Sequence, residues 1–309
     1  MISAIKTPVA DIKLSRDGEV TYRNYARLGY HHLTHGAYGR LVSATDSDPW
    51  KARRQQFLAH VEAVLAVYPG QVILCGPTAL QVLGVALPTH LEDWENCHVM
   101  VGPDEYRPVR RGVIAHRTIV KPHTWPGAPY PVLHPVDCWL QLRQASQADL
   151  IEVGDGLLRR KKPLLTLAEL NQRLAELDGR RGVKQARGIV RWLRPDTDSI
   201  YETRTRLVLV KAGLPCPTVN CKVYCQTENF VYHLDMGYQE EKVGVEYDGV
   251  VHVGDRAQME IDMTRRRHLQ DQGWLIITVT AKQLQNPSAI IRSVETALLF
   301  RRNALANAW

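Results

Sequence analysis

The most informative part of the sequence is residues 232–268, YHLDMGYQEEKVGVEYDGVVHVGDRAQMEIDMTRRRH. Two apolar-alternating segments within and beside it predict β-strands, one over Val231–Met236 and the next ending in Glu246 and Asp248. Because side chains alternate along a strand, Glu246 and Asp248 share one face. If the two strands are antiparallel neighbours, Asp235 reaches that face as well.

Three carboxylates crowded at strand ends predict a cation site. Such groups repel one another unless a proton or a metal ion neutralises them. Hard oxygen ligands suit Mg²⁺ or Mn²⁺, so Asp235, Glu246 and Asp248 are the candidate metal ligands. His252 follows Asp248 by four residues and is a candidate general base or ligand.

A helix predicted over residues 257–272 adds candidate phosphate contacts to these acids. On it Asp262 precedes Arg265 and Arg266 by three and four residues, which places the three on a shared face. A guanidinium beside carboxylates can hold a phosphate. Carboxylates for a metal, an imidazole and guanidinium groups together suit metal-assisted hydrolysis of a phosphodiester.

Each of these residues also has an ordinary structural interpretation. Asp248 before a glycine fits a simple turn, and His252 fits a surface histidine. Glu202 fits a helix cap. Asp262 with the two arginines fits a surface ion pair. The catalytic hypothesis therefore depends on these residues occurring together on one strand–strand–helix frame.

Around this stretch the pattern predicts a mixed sheet flanked by helices, in the α+β or α/β class. The composition of the segment Arg194–Asp198 predicts a linker. After it we predict helices over 199–212 and 288–302, and strands over 218–225, 242–247 and 274–280.

The residues before the linker predict a separate mixed α/β domain. Helical spacing predicts a helix over 50–67 and further helices over 136–192. A short helix is predicted to begin at Pro77 and to end at Gly84. Strands are predicted over 98–101 and 112–116. Between them lies a basic turn whose Arg110 and Arg111 are candidate DNA contacts.

The first 45 residues have the size of a degenerate winged helix-turn-helix. Helices are predicted over 21–28 and 29–33, and a turn with a short strand over 36–41. The alternative is an N-terminal helix packed on the next domain.

Composition excludes several classes of protein. The 309 residues are 45% hydrophobic and 23% charged, which is globular and excludes bulk disorder and coiled-coil rods. No apolar run approaches the length of a membrane span, and the N-terminal residues lack the pattern of a signal peptide, so we expect a cytoplasmic protein. A net charge of +7 is compatible with a nucleic acid partner.

The six cysteines predict reduced thiols rather than a disulfide framework. Cys216, Cys221 and Cys225 cluster, and a zinc site there would need a fourth ligand such as His233. Their spacing is not that of paired zinc ligands.

Residues from about 196 to 300 resemble the very-short-patch-repair-like endonuclease group of the PD-(D/E)XK superfamily. The resemblance is carried by these residues: Ser199-x-x-Glu202, Gly213-Leu214-Pro215, Asp235, Glu246-Tyr247-Asp248-Gly249-x-x-His252, Asp262, Arg265-Arg266 and Gly273-Trp274. It implies a restriction-endonuclease-like sheet and Mg²⁺-dependent cleavage of DNA. The superfamily's usual motif lysine is replaced here by Asp248, which leaves His252 as the candidate base.

The resemblance implies a role for each matched residue. Asp235 would be the main metal ligand, with Glu246 and Asp248 completing the coordination or orienting water. His252 would move a proton or stabilise the leaving group. Glu202 would be a supporting acid, and Asp262 would orient His252 or a water molecule. Arg265 and Arg266 would contact phosphate groups.

Residues 20 to about 190 are similar to AbiEi-type antitoxin and regulator proteins of bacteria. The similarity is carried by three stretches: Leu74–Leu80, Leu83–Pro88 and Arg110–His116. It implies a regulatory or targeting domain. The expected organisation is a degenerate winged helix over 1–45, an AbiEi-like domain over 46–193 and a nuclease domain over 194–309.

Three functions are compatible with these features. The favoured one is a metal-dependent DNA endonuclease with Mg²⁺ or Mn²⁺ as cofactor, acting in DNA repair or in defence against phages and mobile elements. The alternative is a DNA-binding regulator or antitoxin whose nuclease-like domain is inactive. The third is a scaffold that only binds a partner protein. DNA is the expected partner, with a toxin or repair protein as a further candidate and no membrane.

Overall fold

The computed structural model describes residues 9–41, 48–119, 122, 124–226, 228–249 and 256–307, with side chains of the last range described from 260. The chain divides into two compact units. The first comprises Met1–Ala145 and Leu177–Lys184, and the second comprises Ser146–Glu176 and Gln185–Trp309. The segment 146–176 therefore belongs to the second unit, although the predicted nuclease domain begins only at residue 194. In the described part, no helix is both long and apolar enough to span a membrane.

The first unit begins with a three-stranded antiparallel sheet. Its strands lie in the order β1-β3-β2, namely β1 (Ala10–Leu14), β3 (Ala37–Leu41) and β2 (His31–Thr34). The predicted helices over 21–28 and 29–33 are wrong: the first stretch forms turns, and the second contains β2. Backbone pairing of His31 and His32 with β3 outweighs the helical pattern, which is too short to nucleate a helix by itself.

A 19-residue helix and a second small sheet complete the first unit. Helix α1 (Pro49–Val67) starts at Asp48, whose carboxylate accepts a hydrogen bond from the Trp50 N–H, and this confirms the predicted helix. The sheet pairs β4 (Ile73–Leu74) with β5 (Cys97–Val101) antiparallel, and β5 with β6 (Val113–Arg117) parallel. Two short helices belong to this unit: α2 (Gly76–Val82) and α3 (Pro135–Leu140).

The helical segment before the linker carries a buried ion pair to the next helix. Its helices are α4 (Gln147–Leu157), α5 (Leu167–Glu176) and α6 (Val183–Val190). On α4, Asp155 accepts a 2.7 Å hydrogen bond from Arg206 of α7 (Ile200–Lys211), and both side chains are about 1% exposed. This pair ties α4 to the sheet-bearing part of the second unit.

The second unit is built on a four-stranded mixed sheet flanked by helices. The strand order is β10-β9-β8-β7, with β9 and β10 parallel and the other neighbours antiparallel. The strands are β7 (Thr218–Cys225), β8 (Phe230–Tyr238), β9 (Val243–Asp248) and β10 (Leu275–Thr280). The remaining helices are α8 (Arg256–Asp271), α9 (Ala281–Gln285) and α10 (Ser288–Ala306). The predicted α+β class, with a mixed sheet between helices, is confirmed.

The two faces of this sheet have separate hydrophobic cores. On one face Met236 and Val245 pack with Leu209 of α7 and Val294 of α10. On the other face a second cluster packs under α8; it contains Cys221, Val223, Leu234, Leu269 and Trp274. Burial of apolar side chains on both faces holds the strands that carry the candidate acids.

Candidate active site

Glu202 is presented by the first turn of α7. The Ser199 hydroxyl caps this helix by accepting the Glu202 N–H at 3.2 Å, and the Glu202 carboxylate accepts the Asp198 N–H at 2.9 Å. The side chain is buried. Burial and the negative charge of Asp235 raise the pKa of Glu202 to about 7, against the hydrogen bonds that favour the charged form. Glu202 thus accepts a hydrogen bond from the backbone at the start of α7 and has a raised pKa.

Asp235 lies where β8 loses its regular alternation. Leu234 and Met236 would share a face in a regular strand, yet they pack in different cores on opposite faces of the sheet. On the neighbouring strand β7, Val219 pairs with Met236 and Cys221 pairs with Leu234. Asn220, between Val219 and Cys221, has a positive φ of 49°. Asp235 therefore lies between a residue of one core and a residue of the other, in a stretch where the β7–β8 register continues unbroken.

The Asp235 carboxylate bonds to the next strand and is itself perturbed. Its Oδ2 accepts the Tyr247 N–H at 2.7 Å, beyond the point where Met236 pairs with Val245. Burial raises the pKa of Asp235 to about 6, and the charge of Glu246 adds to the rise, whereas the Tyr247 N–H and Arg265 oppose it. Asp235 and Glu202 are therefore two interacting carboxyl groups with pKa values near neutrality.

Glu246 is held by Arg265 of α8 in a two-point ion pair. One guanidinium nitrogen of Arg265 lies 3.1 Å from Glu246 Oε2, and the other contacts Oε1 and also donates to the His233 carbonyl at 2.7 Å. Arg265 was predicted to bind phosphate, but here its guanidinium holds a strand carboxylate. The neighbouring Arg266 is exposed and donates to the Thr278 hydroxyl at 3.3 Å.

The other predicted acids lie further out. Asp248 is exposed at the end of β9, opposite Thr280 of β10. Asp262 is exposed on α8, and its charge contributes to raising the pKa of Arg265. His252 lies outside the described residues.

Two features of this site were not predicted from sequence. The Tyr201 and Tyr247 rings stack in parallel with centroids 4.6 Å apart, joining α7 to β9 beside the acids. The charge of Asp198 contributes to raising the pKa of both Glu202 and Asp235. The only signal for the tyrosines was their position next to Glu202 and Glu246 in the sequence.

The donor chemistry of the site suits a hard divalent cation, although the described side chains do not form a complete ligand set. Within residues 9–41, 48–119, 122, 124–226, 228–249 and 260–307, no three histidine, cysteine or acidic side chains converge as a metal site. The buried Glu202 and the partly buried Asp235 supply carboxylate oxygens, which such a cation prefers. These two residues would hold the ion.

The remaining predicted contacts are distributed elsewhere. Arg110 of the first unit donates to the His35 carbonyl and lies over the Tyr68 ring, 5.2 Å from its centroid; Arg111 is exposed. In the second unit, Cys221 and Cys225 are buried and Cys216 is exposed, all three as free thiols. His233 contacts the Asn220 side chain at 2.7 Å. The described cysteines therefore belong to the core or the surface rather than to a zinc site.

Comparison with known proteins gives relatives without an assigned function. No family model matches the chain. Two curated proteins of Mycobacterium tuberculosis, "Uncharacterized protein Rv2248" and "Uncharacterized protein MT2308", are each 27% identical over 139 residues, covering 41% of this chain and 51% of theirs. The chain thus spans about half the length of the curated relatives it matches. The crystal structure of the RV2827C protein from the same organism aligns with 71% of this chain and 85% of its own, at 13% identity and a TM-score of 0.37.

Proposed function

We propose that the second unit is a DNA endonuclease that hydrolyses phosphodiester bonds with Mg²⁺ or Mn²⁺. The observation that carries the proposal is that two carboxyls from different elements, the buried Glu202 and the partly buried Asp235, interact electrostatically. Their pKa values are about 7 and about 6. Burying such groups together costs free energy, which a bound cation would recover, and perturbed carboxyls of this kind concentrate at functional sites.

Each residue of the site has a separate proposed role. Asp235 and Glu202 would hold the cation, which would supply Lewis acidity toward a phosphoryl oxygen and a water molecule. The Tyr247 N–H fixes one oxygen of Asp235. Arg265 fixes Glu246 on the face of the sheet under α8, so that this carboxylate is oriented before substrate arrives. We assign the contact with a DNA phosphate to Arg266, which is exposed on α8 and whose guanidinium suits phosphate oxygens.

The test is cleavage of supercoiled plasmid and of single- and double-stranded oligonucleotides with Mg²⁺ or Mn²⁺. We expect metal-dependent cutting by the wild type and a loss of roughly a hundredfold or more in Asp235→Asn and Glu202→Gln. The control is Glu295→Gln, an exposed acid on α10, which should cut like the wild type. If no DNA form is cut with either metal, the nuclease proposal fails. Salt-sensitive DNA binding without cutting would then identify the regulator alternative.

A further inference from the structure

The first unit contains a cleft of about 700 Å³ that the nuclease proposal does not use. Its floor is one face of the β4–β5–β6 sheet, where His98 and Met100 of β5 lie beside His116 of β6. These residues share a face because positions two apart on a strand point the same way and the two strands are in parallel register. Leu91 and Leu142 add apolar surface to the walls. The volume is that of a pocket for a small organic ligand.

A chain of hydrogen bonds crosses the floor of the cleft from Asp93 to His116. His98 Nε2 lies 3.0 Å from Asp93 Oδ2, and His98 Nδ1 lies 3.1 Å from His116 Nε2. The two imidazole rings stack with centroids 5.4 Å apart. Because the ionised Asp93 can only accept, His98 donates through Nε2, and its Nδ1 accepts from His116. His116 Nδ1 is then the ring nitrogen without a partner in this chain of hydrogen bonds, and it can donate to an anionic ligand when the ring is protonated.

The polar wall of the cleft is basic. Arg107, Arg117 and Arg143 all line it. Arg107 uses its Nε to donate to the Ala115 carbonyl at 3.1 Å, which leaves its two terminal nitrogens for another acceptor. Arg143 makes no side-chain hydrogen bond or ion pair among the described residues. It is exposed at the cleft.

The acids in the cleft are already engaged. Asp93 accepts from His98 and from the Asn96 N–H at 2.9 Å. Glu92 accepts from the Trp94 indole at 2.9 Å. The arginine side chains therefore face a cleft whose carboxylates have other partners, and the ligand that would complement them is an anion.

We propose that this cleft binds a small phosphate ester of mononucleotide size, with the phosphate held by Arg107 and Arg143 beside His116. Arginine provides paired donors that match phosphate oxygens, and the apolar walls suit the rest of such a molecule. Removal from water lowers the pKa of His116, and the neighbouring positive charges of Arg143 and Arg107 lower it further. A bound phosphate would relieve this crowding of positive groups around the imidazole.

The test follows the histidine imidazole signals of the full chain by ¹⁵N-correlated NMR, with the His116 signal assigned from a His116→Gln variant. The probes are inorganic phosphate, adenosine 5′-monophosphate and adenosine. We expect saturable shifts of the His116 signal with both phosphates, binding of the nucleotide at least tenfold tighter than phosphate, and no shift with adenosine. Absence of a saturable shift with either phosphate at millimolar concentration, or an equal shift with adenosine, overturns the proposal.

Matched variants separate the cleft from other basic surfaces. Arg143→Ala, at an exposed position, should weaken nucleotide binding at His116 at least tenfold, and Arg143→Lys should restore part of it. Arg27→Ala, an exposed arginine of the same unit that does not line the cleft, should leave binding unchanged. Equal effects of Arg143→Ala and Arg27→Ala would contradict the assignment. Tighter binding of a 5′-phosphorylated oligonucleotide than of the mononucleotide at His116 would overturn the small ligand in favour of a nucleic acid end.

Discussion

Tyr201 stacks on Tyr247 with the two rings only 2° from parallel, and this contact joins the helix that carries Glu202 to the strand that carries Glu246. Arg204 lies over the Tyr201 ring, 5.3 Å from its centroid, and is itself paired with Glu152 of α4 at 2.9 Å. The stack thus continues into an ion pair that reaches a third element. We therefore expect these aromatic rings to fix the position of Glu202 relative to Glu246.

Replacing Tyr247 with alanine should therefore lower both stability and cleavage. We expect a loss of roughly 2–4 kcal/mol in the free energy of unfolding, because the ring also packs against the core under α7. Tyr247→Phe keeps the ring and should cost less than about 1 kcal/mol. Urea denaturation measures both, and cleavage is assayed at a temperature where each variant is folded. Equal losses in the two variants would show that the hydroxyl, and not the stack, matters.

Glu202 should make stability depend on pH in a defined direction. Its pKa rises from 4.5 to about 7 on folding, so between these pH values the folded chain retains a proton that the unfolded chain has lost. The contribution of this proton to the free energy of unfolding is complete below about pH 4.5. It is lost as the pH rises to about 7, where the loss reaches roughly 3 kcal/mol. Without divalent metal, Glu202→Gln should remove this part of the pH dependence of the free energy of unfolding, measured by urea denaturation at several pH values. Glu295→Gln should retain it, and an unchanged slope in Glu202→Gln would contradict the assignment.

A divalent ion should stabilise the second unit at neutral pH. A ligand that binds only the folded state at a hundred times its dissociation constant adds about 2.7 kcal/mol, so the thermal midpoint should rise by several degrees with excess Mg²⁺ or Mn²⁺. EDTA should reverse the rise. Asp235→Asn should abolish it, whereas Glu295→Gln should show the full shift. A shift of the same size in Asp235→Asn would place the ion elsewhere.

The buried pair Asp155 and Arg206 should behave as a single unit in stability measurements. Asp155 also accepts the Thr203 hydroxyl at 2.9 Å and the Arg194 N–H at 2.7 Å, whereas two nitrogens of Arg206 are buried without a partner among the described residues. Removing one charge leaves the other unpaired, so Asp155→Leu and Arg206→Met should each cost roughly 3–5 kcal/mol. The double variant should cost much less than the sum. Additive losses in urea denaturation would mean that the two charges are not coupled.

The sequence predicted the long, strongly patterned elements well. Helix α7 and strand β7 appear within a residue or two of their predicted ends, because a capping serine and regular apolar spacing act locally. Strand β2 was predicted as helix, since the pairing that defines it is made with β3 and local propensity does not report it. Helix α9 was missed because five residues are too few to show a periodic pattern.

The candidate acids were predictable as types but their partners were not. Spacing placed Glu246 on the same face as Asp248, and the face of the sheet under α8 does carry Glu246 with its partner Arg265. The ion pair joins Arg265 of α8 to Glu246 of β9, which are 19 residues apart in the sequence. Whether it forms depends on the rotamers of both side chains. The positive φ of Asn220, which lies on β7 between the partners of Leu234 and Met236, is a conformation that no periodic pattern shows.

Gly237 should be essential for the packing of β8 on the α8 side. A methyl group at this position would lie 2.6 Å from Cys221 Sγ and 2.9 Å from Cys221 Cβ, and the Cβ atom cannot rotate away. Gly237→Ala should therefore cost roughly 1–3 kcal/mol of the free energy of unfolding. The matched control is Gly188→Ala in α6, where nothing lies within 4 Å of the added carbon and the change should stabilise by about 0.5–1 kcal/mol. Urea denaturation distinguishes the opposite signs, and a neutral Gly237→Ala would show that β8 can shift away from Cys221.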